Sequence, residues 1–256
     1  MQKLNRPIVL SVAGYDPSGG AGLLADIKTI EQHKVYGLGI ASALTFQTEN
    51  EFFSLKWADE KEVVFQLKTY LMHYQIKIVK FGLAQNWKKL NILTDVIKTH
   101  NDNIKVIVDP ILKSSSGFKI ITNNDKKNFK ALLHKIDLLT PNCDEAMKLT
   151  GNNDGYKGAK HLSQYCDILL KGGHNSKEPG TDYLFAKGEI CNVFKPHIPP
   201  SRGGGASKHG SGCVLSAAIA ANLALGYGML EACKKAKQYT ERFLNSNKSL
   251  VGYHVQ

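Results

Sequence analysis

Long apolar runs are missing from this chain of 256 residues. No segment approaches the ~20 consecutive apolar residues of a membrane-spanning helix, which excludes a helical membrane protein; no membrane partner is expected. The opening Met1-Gln2-Lys3-Leu4-Asn5-Arg6-Pro7 has neither the apolar core nor the cleavage site of a secretory signal, so the cytoplasm is the expected compartment. Cysteine is sparse. The five cysteines, 143, 166, 191, 213 and 233, are odd in number and widely spaced, and no CxxC occurs. Neither a disulfide framework nor a zinc site is supported, and most of these thiols are expected as buried fillers. Two familiar phosphate loops are absent as well. There is no GxxxxGK[ST], and the glycines after the first strand do not follow GxGxxG. Internal repeats, long linkers and low-complexity tracts are lacking, so residues 1–256 are expected to form one domain.

What is present is ordinary in bulk: 43% hydrophobic and 21% charged residues, the composition of a globular protein. Lys and Arg number 33 against 22 Asp and Glu, a net charge of +11. The lysines are dispersed, as in Lys126-Lys127 and Lys234-Lys235-Ala236-Lys237, with no interleaved aromatic platform. This reads as a solvated basic surface that attracts polyanions such as nucleotides, not as a nucleic-acid site.

Apolar strands alternate with amphipathic helices along the chain. Strands are expected at 8–13, 35–44, 76–81, 104–108, 136–139, 166–170, 183–186 and 190–194, the last two a hairpin around Lys187-Gly188. Helices are expected at 21–33, 59–74, 87–100, 124–133, 211–225 and 229–245. This order predicts an α/β fold with a mostly parallel sheet covered on both faces. Polar motifs fall repeatedly just after strands, where such sheets bind ligands. Gly14, Gly82, Asp109, Asn142 and Lys171 are thus expected to converge. The glycine-rich 199–207 is the segment expected to close over a nucleotide.

Four constellations carry chemistry. His209-Gly210-Ser211-Gly212-Cys213 runs into a small-residue helix, so its free N–H groups and the helix dipole can hold an anion. The same field would favour a Cys213 thiolate. A tight loop before a buried helix with an inert cysteine accounts for these residues equally well. Gly14-Tyr15-Asp16-Pro17-Ser18-Gly19-Gly20-Ala21-Gly22 permits close backbone approach to a ligand. Asp26 lies in the helix that follows, where a surface carboxylate is the commoner case. Asn142 and Glu145 share one face of a helix start, suited to Mg²⁺-bound water or to a plain capping box. Lys171, at a strand end before Gly172-Gly173, can reach a phosphate or simply face solvent.

In this order, AGYDPSGGAGLLADIKT, SALTFQTEN, VDP, TPNCDEA, KGGH, DYLF and HGSGC resemble the hydroxymethylpyrimidine/phosphomethylpyrimidine kinases of thiamine biosynthesis, within the ribokinase-like superfamily. The resemblance spans nearly the whole chain. It implies a three-layer α/β/α fold and transfer of the ATP γ-phosphate to 4-amino-5-hydroxymethyl-2-methylpyrimidine, then to its monophosphate. It also implies that Gly210, Ser211, Gly212 and Cys213 form an anion hole, with Cys213 accepting or orienting the hydroxyl proton. Asp26 and Gln47 would hold the pyrimidine in a pocket lined by Gly14, Ala21, Thr45 and Leu83. Lys171 would contact phosphates, Asn142 and Glu145 would organise Mg²⁺, and Asp109 would join the phosphate or metal shell. A homodimer is the family expectation, and a K⁺ requirement stays open. Three stretches depart from the family's pattern: Ile111-Leu112-Lys113-Ser114-Ser115-Ser116-Gly117 displaces a lysine, Gln47-Thr48-Glu49 alters the pocket rim, and 203–208 replaces an Asn-Thr-rich run. A pyridoxal or pyridoxine kinase, a non-catalytic ligand-binding descendant, and a cysteine hydrolase built on Cys213 and His209 stand as alternatives.

Overall fold

The computed structural model describes residues 5–113, 120, 125–173, 178–197 and 208–255. The expected closing segment 199–207, Ser114–Gly117, His174 and Asn124 lie outside the described residues. The described chain builds a sheet of nine strands in the order β3-β2-β1-β4-β5-β6-β7-β8-β9. β1 (Ile8–Tyr15), β2 (Tyr36–Gln47), β4 (Ile76–Phe81), β5 (Lys105–Val108), β6 (Leu138–Leu139) and β7 (Asp167–Leu170) run parallel. β3 (Phe52–Trp57), β8 (Asp182–Ala186) and β9 (Glu189–Phe194) close the edges antiparallel. At the β8–β9 turn, Lys187 and Gly188 both take positive φ (52° and 82°), the geometry of a two-residue hairpin.

Two apolar layers sandwich the sheet. One face carries Ile8, Leu10, Val12, Val79, Phe81, Val106, Val108 and Leu139 against α2 (Glu60–His73), α3 (Trp87–His100), α4 (Lys126–Leu133), α5 (Cys143–Thr150) and α6 (Gly155–Leu162). The other carries Val9, Ile78, Ile107, Leu138 and Leu169 against α1 (Gly22–Gln32), α7 (Ser211–Ala224) and α8 (Met229–Asn245). This is the expected three-layer α/β/α arrangement. Every residue of α7 from Cys213 to Ala224 is buried, as befits a helix apolar on all sides.

Strand alternation decides what α7 meets. Lys80 has the parity of Ile78, and Asp109 that of Ile107. Thr140 follows Leu138, and Lys171 follows Leu169. All four side chains therefore belong to the α7 face near the carboxyl ends of adjacent strands.

Two elements escape the sequence pattern. β2 continues past Leu44 to Gln47 and pairs with β3. The connecting turn has no glycine or proline; the Thr48 hydroxyl accepts the N–H groups of Asn50 and Glu51 instead (3.3 and 3.2 Å). α6 is masked by its glycines, which read as helix breakers. They serve a close helix crossing: a Cβ on Gly155 would stand 2.8 Å from the Cys143 Cβ, and one on Gly158 2.8 Å from the Ala146 carbonyl oxygen.

Candidate active site

One open cleft beyond the carboxyl ends of the strands is lined by all of the anticipated site residues except Asp26 and Gly82. At one end, Gly210 caps α7 with φ +78°, and a Cβ there would stand 2.0 Å from the Gly20 carbonyl oxygen. Glycine is therefore required for the anion loop to lie against the Asp16–Gly22 loop. Gly212 brings the helix start close to two charges, since its hypothetical Cβ would lie 3.3 Å from Lys171 Nζ and 3.6 Å from Asp109 Oδ2.

The Lys171 ammonium donates to Asp109 Oδ1 at 2.7 Å and lies 3.9 Å from Glu145 Oε2. Burial opposes its charge, but the Asp109 and Glu145 carboxylates outweigh burial and hold it above the usual lysine range. Burial, then Asp109, push Glu145 up to about 7, against the pull of Lys171 and the Asn142 N–H. Asn142 and Glu145 form the capping box foreseen as their structural role, with N–H to carboxylate and N–H to amide contacts of 2.8 Å each. Two acids facing one lysine leave an acidic surplus here.

At the other end, Gly14, Ala21, Thr45, Gln47 and Leu83 line the cleft. The Thr45 hydroxyl ties β2 to β1 by donating to the Tyr15 carbonyl at 2.9 Å. A Cβ on Gly14 would come within 2.5 Å of Leu83 Cδ2.

The carboxylate in this end is Asp16, which sequence reasoning passed over. Asp16 is 1% exposed. It accepts from the Ser18 N–H and hydroxyl, the Ala21 N–H and His209 Nε2 (2.7–2.9 Å). The Gln47 side chain also bonds to it. Burial works against its charge, yet the bonds from His209, Gln47 and Ser18 bring it down to about 2. The signal was available in Asp-Pro-Ser-Gly, an Asx-turn sequence directly after a strand.

Two expectations need correction. Asp26 is neither on the surface nor in the cleft. It is fully buried on α1, where Lys80 Nζ bonds both its oxygens (2.9 and 2.7 Å) and the Ser11 hydroxyl donates at 2.6 Å. Burial raises its carboxyl above the ordinary range despite Lys80 and Ser11. The parity of β4 aims Lys80 at α1, which explains why a surface position was expected from the helix alone. Second, the surroundings of Cys213 oppose the thiolate expected at a helix N-terminus. Burial, with Asp26 and Asp109 nearby, pushes this thiol up to about 11 against Lys80 and the Gly22 N–H. His209 directs Nε2 to Asp16, so the nucleophile–base pair of a cysteine hydrolase is not assembled among the described residues.

Residues 16–255 match the family model described as phosphomethylpyrimidine kinase. The chain belongs to that family. A hydroxymethylpyrimidine/phosphomethylpyrimidine kinase of Aquifex aeolicus is 32% identical, with 97% of this chain and 98% of the relative covered. The crystal structure of a phosphomethylpyrimidine kinase from Clostridium difficile superposes with a TM-score of 0.75 at 29% identity, covering 92% and 98% of the two chains. A Staphylococcus aureus pyridoxal kinase solved with ADP shares the fold, with a TM-score of 0.79 at 22% identity, covering 95% and 89%.

Two measurements check this electrostatic picture of a phosphomethylpyrimidine kinase family member. Lys80→Met leaves Asp26 buried without its partner and is expected to cost about 3–5 kcal/mol in urea unfolding, most of it restored by adding Asp26→Leu. A double variant as unstable as the sum of the single variants contradicts this. Because the Cys213 thiol lies near 11, its thiolate fraction, and so its peptide-resolved alkylation by iodoacetamide, should climb about tenfold per pH unit from roughly pH 7 to 10. A plateau near about pH 8 would mean a thiolate favoured by the helix after all.

Proposed function

We propose that the chain transfers the γ-phosphoryl group of ATP to the hydroxymethyl group of 4-amino-5-hydroxymethyl-2-methylpyrimidine, and then to the resulting monophosphate. The observation that carries this reading is the meeting, in one cleft, of the α7 anion loop, the Lys171–Asp109–Glu145 cluster and the Asp16–Gln47 pair. The names of its relatives supply the substrate class.

Gln47 supports an aminopyrimidine in particular. Asp16 is an acceptor, so it holds Gln47 through an amide N–H. The carbonyl oxygen and second N–H of Gln47 remain to pair with an exocyclic amine and its neighbouring ring nitrogen, as an amide pairs with adenine. Pyridoxal carries no such amine. Gly14, Ala21, Thr45 and Leu83 provide the walls.

Phosphoryl transfer proceeds largely through positioning and charge stabilisation. In this proposal the free N–H groups of Gly212 and Cys213 face the oxygens of the transferring group, and Lys171 adds a fixed positive charge. Cys213, a neutral thiol below about pH 10, orients the alcohol and is not a standing base. A loose transition state sheds the alcohol proton late, so a strong base is not required.

Mg²⁺ suits the acidic surplus of Asp109 and Glu145. Among the described residues no group of three His, Cys, Asp or Glu side chains could hold a metal ion, so in this proposal waters and nucleotide phosphates would supply the remaining ligands. Glu145 and Asp109 would hold it, with Asn142 orienting Glu145. The ion would neutralise phosphate charge when bound.

The proposal takes residues 1–256 as one kinase domain and as a homodimer in the cytoplasm. Exposed Leu44, Phe46 and Phe53 on the β2–β3 edge support self-association. Among the described residues no helix is long and apolar enough to cross a membrane.

A coupled assay with MgATP tests the reading, with the pyrimidine alcohol, its monophosphate and pyridoxal supplied separately. Turnover of both pyrimidines, sharply reduced in Gln47→Ala, is expected. Turnover of pyridoxal alone would overturn the substrate, and background ATP consumption with all three would favour a non-catalytic descendant.

A further inference from the structure

Two residues before Gly210, Lys208 is 2% exposed. Its ammonium is surrounded by neutral oxygens: the Asn247 carbonyl at 2.7 Å, Asn247 Oδ1 at 2.6 Å and the Ser249 carbonyl. It pairs with no described carboxylate, and the undescribed segments contain no aspartate or glutamate. Lys237 and Lys171 in the same cleft, by contrast, sit on Asp182 and Asp109.

A buried cation without a counter-charge is costly, so its retention calls for a purpose. Burial pulls the Lys208 pKa below its ordinary value. Three acceptors at once nevertheless require all three hydrogens of the charged form.

The oxygens are held in place by their own turn. Asn247 Oδ1 also accepts the Ser249 N–H and hydroxyl (2.9 and 2.8 Å), and Asn247 Nδ2 donates to the Val251 carbonyl at 3.0 Å. The cradle is joined to the anion loop on both sides. The Lys208 carbonyl accepts the Ser211 N–H at 3.3 Å, and the His209 N–H donates to the Leu250 carbonyl at 2.9 Å. Carbonyl oxygens converging in this way are the ligands that replace the water shell of K⁺. A free K⁺ does not fit among these three oxygens while the ammonium is there.

We propose that Lys208 is a tethered monovalent cation, a positioning residue that fills the oxygen cradle from within the chain, fixes the anion loop and removes any need for K⁺. The inference rests on the kinase reading for its link to turnover. It also predicts that an emptied cradle accepts a free cation of similar size.

The test compares the intact chain with Lys208→Ala, in tetramethylammonium chloride and in KCl at equal ionic strength, reading turnover and melting temperature. Wild-type turnover should agree within about twofold between the two salts, and Lys208→Ala should lose at least about tenfold in kcat. KCl or NH₄Cl, but not LiCl, should restore part of that loss saturably and raise the melting temperature of the variant but not of the wild type. A saturable, severalfold activation of the wild type by KCl overturns the proposal, and this arm needs no variant. A variant whose melting temperature ignores KCl overturns it too. Absence of turnover in every salt would instead count against the kinase reading, while the melting arm still decides the role of Lys208.

Discussion

The fold is organised around one electrostatic constraint: the half-buried N-terminus of α7 lies at the carboxyl ends of the strands, on the sheet face to which Lys80, Asp109, Thr140 and Lys171 point. A helix start leaves N–H groups without partners, and buried charges require counter-charges. The chain meets both demands in one place. Lys80 is paired with Asp26, and Lys171 with Asp109 and Glu145. The helix N–H groups border an open cleft where, in the proposed reading, an anion would complete the arrangement. The small residues of α7 allow it to pack against sheet, α1 and α8 without displacing these charges.

This arrangement also accounts for the behaviour of Cys213. A thiol at a helix N-terminus ordinarily gains acidity. Here burial and the neighbouring carboxylates reverse the tendency. The reversal suits phosphoryl transfer, where charge on the transferring group dominates and proton removal is late. A standing thiolate would repel the incoming phosphates. In the proposed reaction a neutral sulfur would orient the alcohol without that penalty.

Much of the layout was legible in the sequence. The βα alternation, the strand-end positions of Asp109, Asn142 and Lys171, and the glycine-gated loops all depend on local pattern, which short segments carry. What remained hidden depends on partners distant in the chain. Asp26 reads as a surface residue until β4 places Lys80 beneath it. Asp16 is visible as a turn former, but its role as the carboxylate of the cleft emerges only when His209 and Gln47 approach. Lys208 looks like one more dispersed lysine, and nothing local indicates that Asn247 and Ser249 will surround it. β3 and α6 were obscured for a different reason: a turn made by a threonine hydroxyl and a helix crossing made by glycines both imitate irregular chain.

The central claim is that positive charge on the α7 face acts on the transferring phosphoryl group and not on the alcohol. Steady-state kinetics of Lys171→Met with MgATP and the pyrimidine alcohol tests it most directly. The account predicts that kcat falls by about 10²–10³ while KM for the alcohol stays within a few-fold. A variant with kcat unchanged and a raised KM for the alcohol would place Lys171 in alcohol binding and contradict the account.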